Sequence, residues 1–235
     1  MNSHADYKES DMYPPVKAFF ETQGYVMRGE VKTIDAAAIR DGELVLFEFK
    51  KSFNTTLLIQ ALKRQTISEK VYIVIPRQSS KNSKDLPYVK HISESLKLGL
   101  ICVAMDSPLK TVEIICEPPC GRIKVNKNKH KSVVRELEGR NIDANNAGST
   151  GLKLLTAYRE ASIKIACVMY KHGAFSAKEL VAKYDCDKKT YNILYNNFYG
   201  WFTRVSKGVY FLAESGFAEI ENNLFDSAVK FYLEF

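Results

Sequence analysis

Apolar residues recur at helical spacing over positions 13–23, where Val16, Phe19 and Phe20 follow Pro14-Pro15 and Gly24 closes the run. Proline is tolerated in a first helical turn and glycine favours a helix end, so this stretch is predicted helical. Positions 25–32, 34–39 and 44–49 then read as strands, the last two flanking Arg40-Asp41-Gly42-Glu43. Asn54 is placed to cap a helix running to about position 69, with Leu57, Leu58, Ala61 and Leu62 on its buried side. "VYIVIP" at 71–76 is a continuous β-branched run, the pattern of a strand covered on both faces. A helix over 85–98 ends at Gly99, and "LICVAM" and "TVEIIC" supply two more strands. The order α-β-β-β-α-β followed by α-β-β argues for an α/β sheet packed by helices.

The pattern changes after position 120. Positions 121–151 read as a linker, ending in the turn-rich "NNAGSTG". Helical periodicity resumes over 152–170. Ser176 caps "AKELVAKY", a third helix spans 188–198, and "WFTRV" and "VYFLA" form two strands joined by Ser206-Lys207-Gly208. Three helices and a hairpin in that order describe a winged helix-turn-helix, so the predicted domains are 1–120, a basic linker 121–151, and 152–235. On the third helix, Tyr191, Leu194, Tyr195 and Phe198 share one stripe and are assigned to the core. Lys188, Lys189, Asn192 and Asn196 fall on the other side, placed to meet phosphates and base edges, with Arg204 and Lys207 on or near the wing. The tail from 217 is amphipathic, with Phe217, Ile220, Leu224 and Ala228 about a turn apart, and fits packing on the domain or on a second copy.

Charge sharpens this outline. The chain of 235 residues carries a formal net charge of +7. Positions 121–140 hold seven Lys/Arg, among them Lys124, Lys127, Lys129 and Lys131, against two Glu, and so supply five of those charges. Such a block is a footprint of nucleic-acid contact or of a solvated linker. Five cysteines at scattered spacings, with no CxxC pair, favour a reducing cytoplasm over a disulfide framework or zinc module. The four histidines are equally scattered. No apolar run approaches a membrane span, and the N-terminal residues lack a signal-peptide core.

The hairpin carries the chemistry. Asp-Gly between two alternating apolar runs is a strong hairpin signal. With Asp41-Gly42 as the loop, Arg40 faces Glu43 and Asp35 faces Glu48, while Lys50 lies on the same face two positions on. Facing carboxylates repel. A hard divalent cation, held by one or two carboxylates plus water and phosphate oxygens, would offset that repulsion. It would also activate water against a phosphodiester, with the lysine stabilising the developing charge.

Asp35 and Glu48-Phe49-Lys50 resemble the motif of the PD-(D/E)XK nuclease superfamily, whose α-β-β-β-α-β core matches positions 13–76. The resemblance implies that Asp35, Glu48 and the main-chain carbonyl of Phe49 hold Mg²⁺ or Mn²⁺. It makes Lys50 the residue that positions water and Gln60 a support from the following helix. It also implies a further acid from the first helix or first strand, with Glu30 ahead of Glu9. Ile34 stands where the motif's proline would be. More narrowly, "YPPVKAFFETQGY", Gly29-Glu30-Val31, "LLIQAL" and "YGWFTRVSKGVYFL" resemble a bacterial family of PD-(D/E)XK-type phosphodiesterases with a C-terminal helical domain and no assigned substrate. The resemblance implies a cytoplasmic metal-dependent nuclease acting on nucleic acid, with DNA expected, and open to homodimer formation. A nuclease-fold DNA-binding regulator without activity, or a protein-interaction subunit, stands as the alternative.

Overall fold

A six-stranded sheet, in sequence order from edge to edge, forms the N-terminal part of the protein. The computed structural model describes residues 7–77, 85–119, 121, 123–143, 145, 154–222 and 225–234. The chain divides into two compact units, Met1–Glu138 with Asn145–Leu154, and Gly139–Ala144 with Leu155–Phe235.

In the first unit a short 3-10 helix, Glu9–Met12, leads into α1 (Tyr13–Glu21). Strands β1 (Val26–Val31), β2 (Ile34–Arg40) and β3 (Glu43–Phe49) form an antiparallel meander. Helix α2 (Thr55–Gln65) crosses to β4 (Lys70–Pro76), and α3 (Leu86–Ser95) to β5 (Gly99–Val103), so that β3, β4 and β5 run parallel. Strand β6 (Val112–Cys116) closes the edge antiparallel to β5.

Local chemistry explains the key elements. Asp41 and Gly42 both have positive φ, 50° and 80°, as a two-residue hairpin of the right twist requires. The resulting register runs from Arg40↔Glu43 to Ala36↔Phe47. The Asn54 side chain accepts from Leu57 N–H at 2.9 Å and so caps α2. Leu57 and Ala61 of α2 are buried, but Leu62, expected on the same face, is exposed, as is Ile59. Strand β4 lies centrally and is buried along Val71–Pro76, as a β-branched run predicts.

Strand alternation divides the core into two layers. Ala36, Ala38, Val45, Phe47 and Phe49 pack under α1 and the 3-10 helix, with Met12, Val16 and Phe20. Ala37, Leu44, Leu46, Val71 and Ile73 face α2. That second layer also holds Val133 and Leu137, and here the expected linker is corrected. Residues Lys127–Glu138 form a helix, α4, packed on β1 and β2. Its lysines hid an apolar stripe one side wide.

The second unit contains α5 (Ala157–His172), β7 (Phe175–Ser176), α6 (Ala177–Tyr184), α7 (Thr190–Asn196), β8 (Phe202–Ser206), β9 (Val209–Leu212), α8 (Glu214–Glu221) and α9 (Asp226–Glu234). Strand β9 lies between β7 and β8 in an antiparallel sheet; the two-residue β7 left no mark in the hydrophobic pattern. Ser176 and Glu179 form a reciprocal capping box at the start of α6. The amphipathic tail is two helices, with Ile220, Ala228 and Val229 in the core; Leu224 lies outside the described residues. Among the described residues no helix is long and apolar enough to cross a membrane.

Glu160, 1% exposed, ties this unit together. It accepts from Asn141 N–H at 2.8 Å, from Ile142 N–H at 3.4 Å and from the Tyr232 hydroxyl at 2.7 Å. Glu160→Ala leaves those donors without their acceptor, at roughly 1–3 kcal/mol for each one buried. A loss of about 2–4 kcal/mol is the expected outcome, read as a lowered urea midpoint; an unchanged midpoint would show that water replaces the carboxylate.

Candidate active site

The β2–β3 register runs as far as Ala36↔Phe47, and continuing it by one pair sets Asp35 opposite Glu48. Both belong to the strand rows that face α2, Asp35 in line with Ala37 and Glu48 with Leu46. Asp35 Oδ2 accepts from Phe49 N–H at 2.8 Å. The two carboxyls are close enough to act on each other. Burial raises the Glu48 carboxyl above its ordinary range, and the charge of Asp35 raises it further. Burial also raises Asp35, while the Phe49 N–H and the Lys50 ammonium pull it down. This is the signature of two acids forced together out of water.

The structure supplies cations of its own to this pair. Arg64, near the C-terminal end of α2, places Nε 2.5 Å from Glu48 Oε1, and the Glu48 side chain is fully buried. Its Nη1 reaches Thr33 Oγ1 at 3.3 Å and its Nη2 the Thr33 carbonyl. Nothing in the sequence reading named Arg64. The available signal was its position four residues after Gln60, on the same helix face.

Lys50 follows β3, its N–H bonded to the Val74 carbonyl at 3.0 Å. Its Nζ lies 3.0 Å from Glu9 Oε2, and Glu9 Oε1 accepts from Lys51 N–H at 3.3 Å. Glu9, on the 3-10 helix ahead of α1, is therefore the acid that meets Lys50, and its charge also acts on Asp35. Glu30, ranked first from the sequence, lies on β1 between the pairs Gly29↔Ala36 and Val31↔Ile34, across from Asp35, with an unusual φ of 48°. A positive φ on a long side chain within a strand is uncommon, and such strain gathers at functional sites.

Two polar atoms stand out. Glu48 Oε2 and Gln60 Oε1 are buried with no hydrogen-bond partner. Buried acceptors of this kind are costly unless something fills them. Among the described residues no group of three or more His, Cys, Asp and Glu is arranged to hold a metal. A magnesium-type cation needs less, since one or two carboxylates suffice when water and phosphate complete the shell. Asp35, the open oxygen of Glu48 and the Phe49 carbonyl fit that requirement in donor chemistry.

The expected nucleic-acid residues fall in both units. Lys124, Lys127, Lys129 and Lys131 are exposed on or just before α4. Lys188, Lys189, Asn192 and Asn196 are exposed on or just before α7, Arg204 is on β8, and Lys207 is in the β8–β9 turn. The aromatic stripe of α7 is corrected. Leu194 and Ile193 are buried, whereas Tyr191, Tyr195 and Phe198 are 60%, 70% and 73% exposed. The helix is shorter than predicted, ending at Asn196, and Asn197 turns the chain in a left-handed conformation with its side chain clamped to Phe202. Tyr191 and Tyr195 stack in parallel, centroids 6.0 Å apart.

A mixed α/β sheet with paired carboxylates and a lysine at the end of the third strand is the arrangement of the PD-(D/E)XK class. The chain belongs to the family described as "Putative PD-(D/E)XK phosphodiesterase (DUF2161)", whose model matches residues 101–219. That match begins in β5, so Asp35, Glu48 and Lys50 lie before it. Comparison with curated proteins and with solved structures gave no match.

Proposed function

We propose that this protein is a divalent-metal-dependent nuclease that hydrolyses phosphodiester bonds in DNA. The observation that carries the reading is the half-buried Asp35 acting on the fully buried Glu48, with Lys50 beside them and one Glu48 oxygen left without a partner. Asp35, Glu48 and the Phe49 carbonyl would hold Mg²⁺ or Mn²⁺. When bound, such a cation polarises the phosphodiester and lowers the pKa of water.

The chain's own residues account for the rest. Lys50, whose ammonium pairs with Glu9, would supply a donor to the attacking water and to the charge that develops on the phosphate. Arg64 keeps the Glu48 carboxylate oriented through one oxygen and leaves the other open. Gln60 on α2 carries a buried side-chain oxygen without a hydrogen-bond partner, an acceptor that would support the site. Glu30, between the pairs Gly29↔Ala36 and Val31↔Ile34 on β1, would add a further acid from the first strand.

The order α5-β7-α6-α7-β8-β9 supports a winged-helix reading of the second unit, with α7 as recognition helix and the β8–β9 hairpin as wing. Lys188, Lys189, Arg204 and Lys207 would then meet phosphates. The exposed Tyr191–Tyr195 stack adds a platform for unpaired bases. Base–aromatic stacking contributes about 1–3 kcal/mol per base, so Tyr195→Ala should weaken single-stranded DNA binding about tenfold. Fluorescence anisotropy reads this directly; equal affinities of variant and wild type would return the aromatics to another role.

The reading is tested by incubating the protein with single-stranded, duplex and branched DNA and with RNA, in Mg²⁺, Mn²⁺ or EDTA. Cleavage with metal and none with EDTA is expected. One observation favours the second reading, a DNA-binding regulator: Arg64 already supplies a cation to Glu48. Binding of DNA without cleavage in any metal would establish that reading instead.

A further inference from the structure

Beside the carboxylate pair lies a cleft of about 390 Å³, within the range of small-ligand sites, roughly 300–1,000 Å³. Three separate elements bring cations to it: Lys32 from the β1–β2 turn, Lys63 and Arg64 from α2, and Lys129 from α4. No carboxylate is among its lining residues, and Thr33 and Ser132 add hydroxyls. The dipole of α2 favours cations at its C-terminal end, which accounts for Lys63 and Arg64. It does not account for Lys32 or Lys129. Lys32 moreover sits at φ 60°, a turn conformation for which glycine, asparagine or aspartate is the cheap choice. Like charges gathered in a concave surface repel one another and focus an attractive field on anions.

Arg64 belongs to both places. Its Nε holds Glu48 while its Nη atoms meet Thr33 at the cleft wall. Asp35 follows Thr33 by two residues.

We infer that this cleft binds a backbone phosphate of the nucleic-acid strand neighbouring the one to be cut, so that Lys32, Lys63 and Lys129 set the strand's path into the site. The inference deepens the nuclease reading and rests on it for the identity of the ligand. An anionic backbone fits better than an isolated phosphate, because the cations come from widely spaced elements and each can meet a different oxygen. Arg64 acts as a positioning residue, linking the phosphate to the orientation of Glu48.

The test measures binding with cleavage switched off. A 5′-labelled oligonucleotide, single-stranded in one arm and duplex in another, is titrated with the full chain in EDTA across a salt series. The variant Lys32→Gln/Lys63→Gln/Lys129→Gln is compared with Lys90→Gln/Lys97→Gln/Lys110→Gln, which removes equal charge away from the cleft. Each phosphate contact contributes about 0.7–0.9 to the slope of log K against log salt. The cleft variant should therefore lose at least tenfold in affinity at low salt, with a slope shallower by about 0.7–0.9, while the control triple changes neither by comparable amounts. Equal losses in the two triples, or no nucleic-acid binding by the wild type, overturn the cleft assignment. Cleft-dependent binding by a wild type that cuts nothing with Mg²⁺ or Mn²⁺ instead overturns the nuclease reading and leaves the cleft in place.

Discussion

Lys50→Ala is expected to lower phosphodiester cleavage by about 10²–10³-fold, the range seen when one donor to a developing anion is removed. The geometry makes this a sharp test. Lys50 leaves the end of β3, its main chain is anchored to Val74, and its ammonium meets Glu9 3.0 Å away. Both partners are about a quarter exposed, so their ion pair contributes little to stability, at most about 1 kcal/mol. Loss of rate should therefore come without loss of fold. Single-turnover cleavage of a labelled oligonucleotide in Mn²⁺ gives the rate, and a thermal melt gives the fold. Asp35→Asn, which keeps the shape but halves the paired charge, should fall at least as far. Rates within about threefold of wild type for both variants would remove Asp35 and Lys50 from the chemistry.

Arg64→Ala is expected to destabilise the first unit by about 3–5 kcal/mol, because it leaves the fully buried Glu48 without its cation. For a unit of this size that corresponds to a fall in Tm of about 10 °C. Two further results separate this cause from lost packing. First, the double variant Glu48→Leu/Arg64→Leu should recover most of the stability, since an apolar pair can replace a buried ion pair. Second, the loss should depend on pH. Burial lifts the Glu48 carboxyl to about 7. Its folded pKa thus exceeds its unfolded one, and the protonated carboxyl, dominant at pH 5.5, needs no cation. As pH rises through 7 the charge appears, so the Arg64→Ala deficit should be larger at pH 8 than at pH 5.5. Mn²⁺ should restore part of it at pH 8 if the cation occupies the same carboxylates. A deficit independent of both pH and metal would assign Arg64 a packing role alone.

The compensation found for the carboxylate pair differs from the simplest sequence expectation. Facing acids called for a cation, and the protein provides two from its own side chains, on different partners. Arg64 takes one oxygen of Glu48, and Lys50 is shared between the neighbourhood of Asp35 and Glu9. The second Glu48 oxygen is left buried without a hydrogen-bond partner.

Short-range chemistry accounts for what could be read from the chain alone. Asp41-Gly42 adopts positive φ at both positions, a two-residue turn follows, and strand alternation then aligns Asp35 with Glu48. The caps at Asn54 and Ser176 and the buried run of β4 are local in the same sense. Features made by reach across the fold were not legible. Glu9 and Lys50 are 41 positions apart, and Arg64 and Thr33 31. The cationic cleft exists only because α4 packs on the sheet, which its lysine-rich sequence concealed. The exposure of Tyr191 and Tyr195 was likewise undecidable from spacing. A helical stripe says which residues share a face, but which of two faces meets the core is settled by the elements packed against it, here through Ile193 and Leu194. The sequence by itself therefore determined the register that brings two acids together. Only the tertiary structure decided which cations answer them, since those come from elements that the chain joins at a distance.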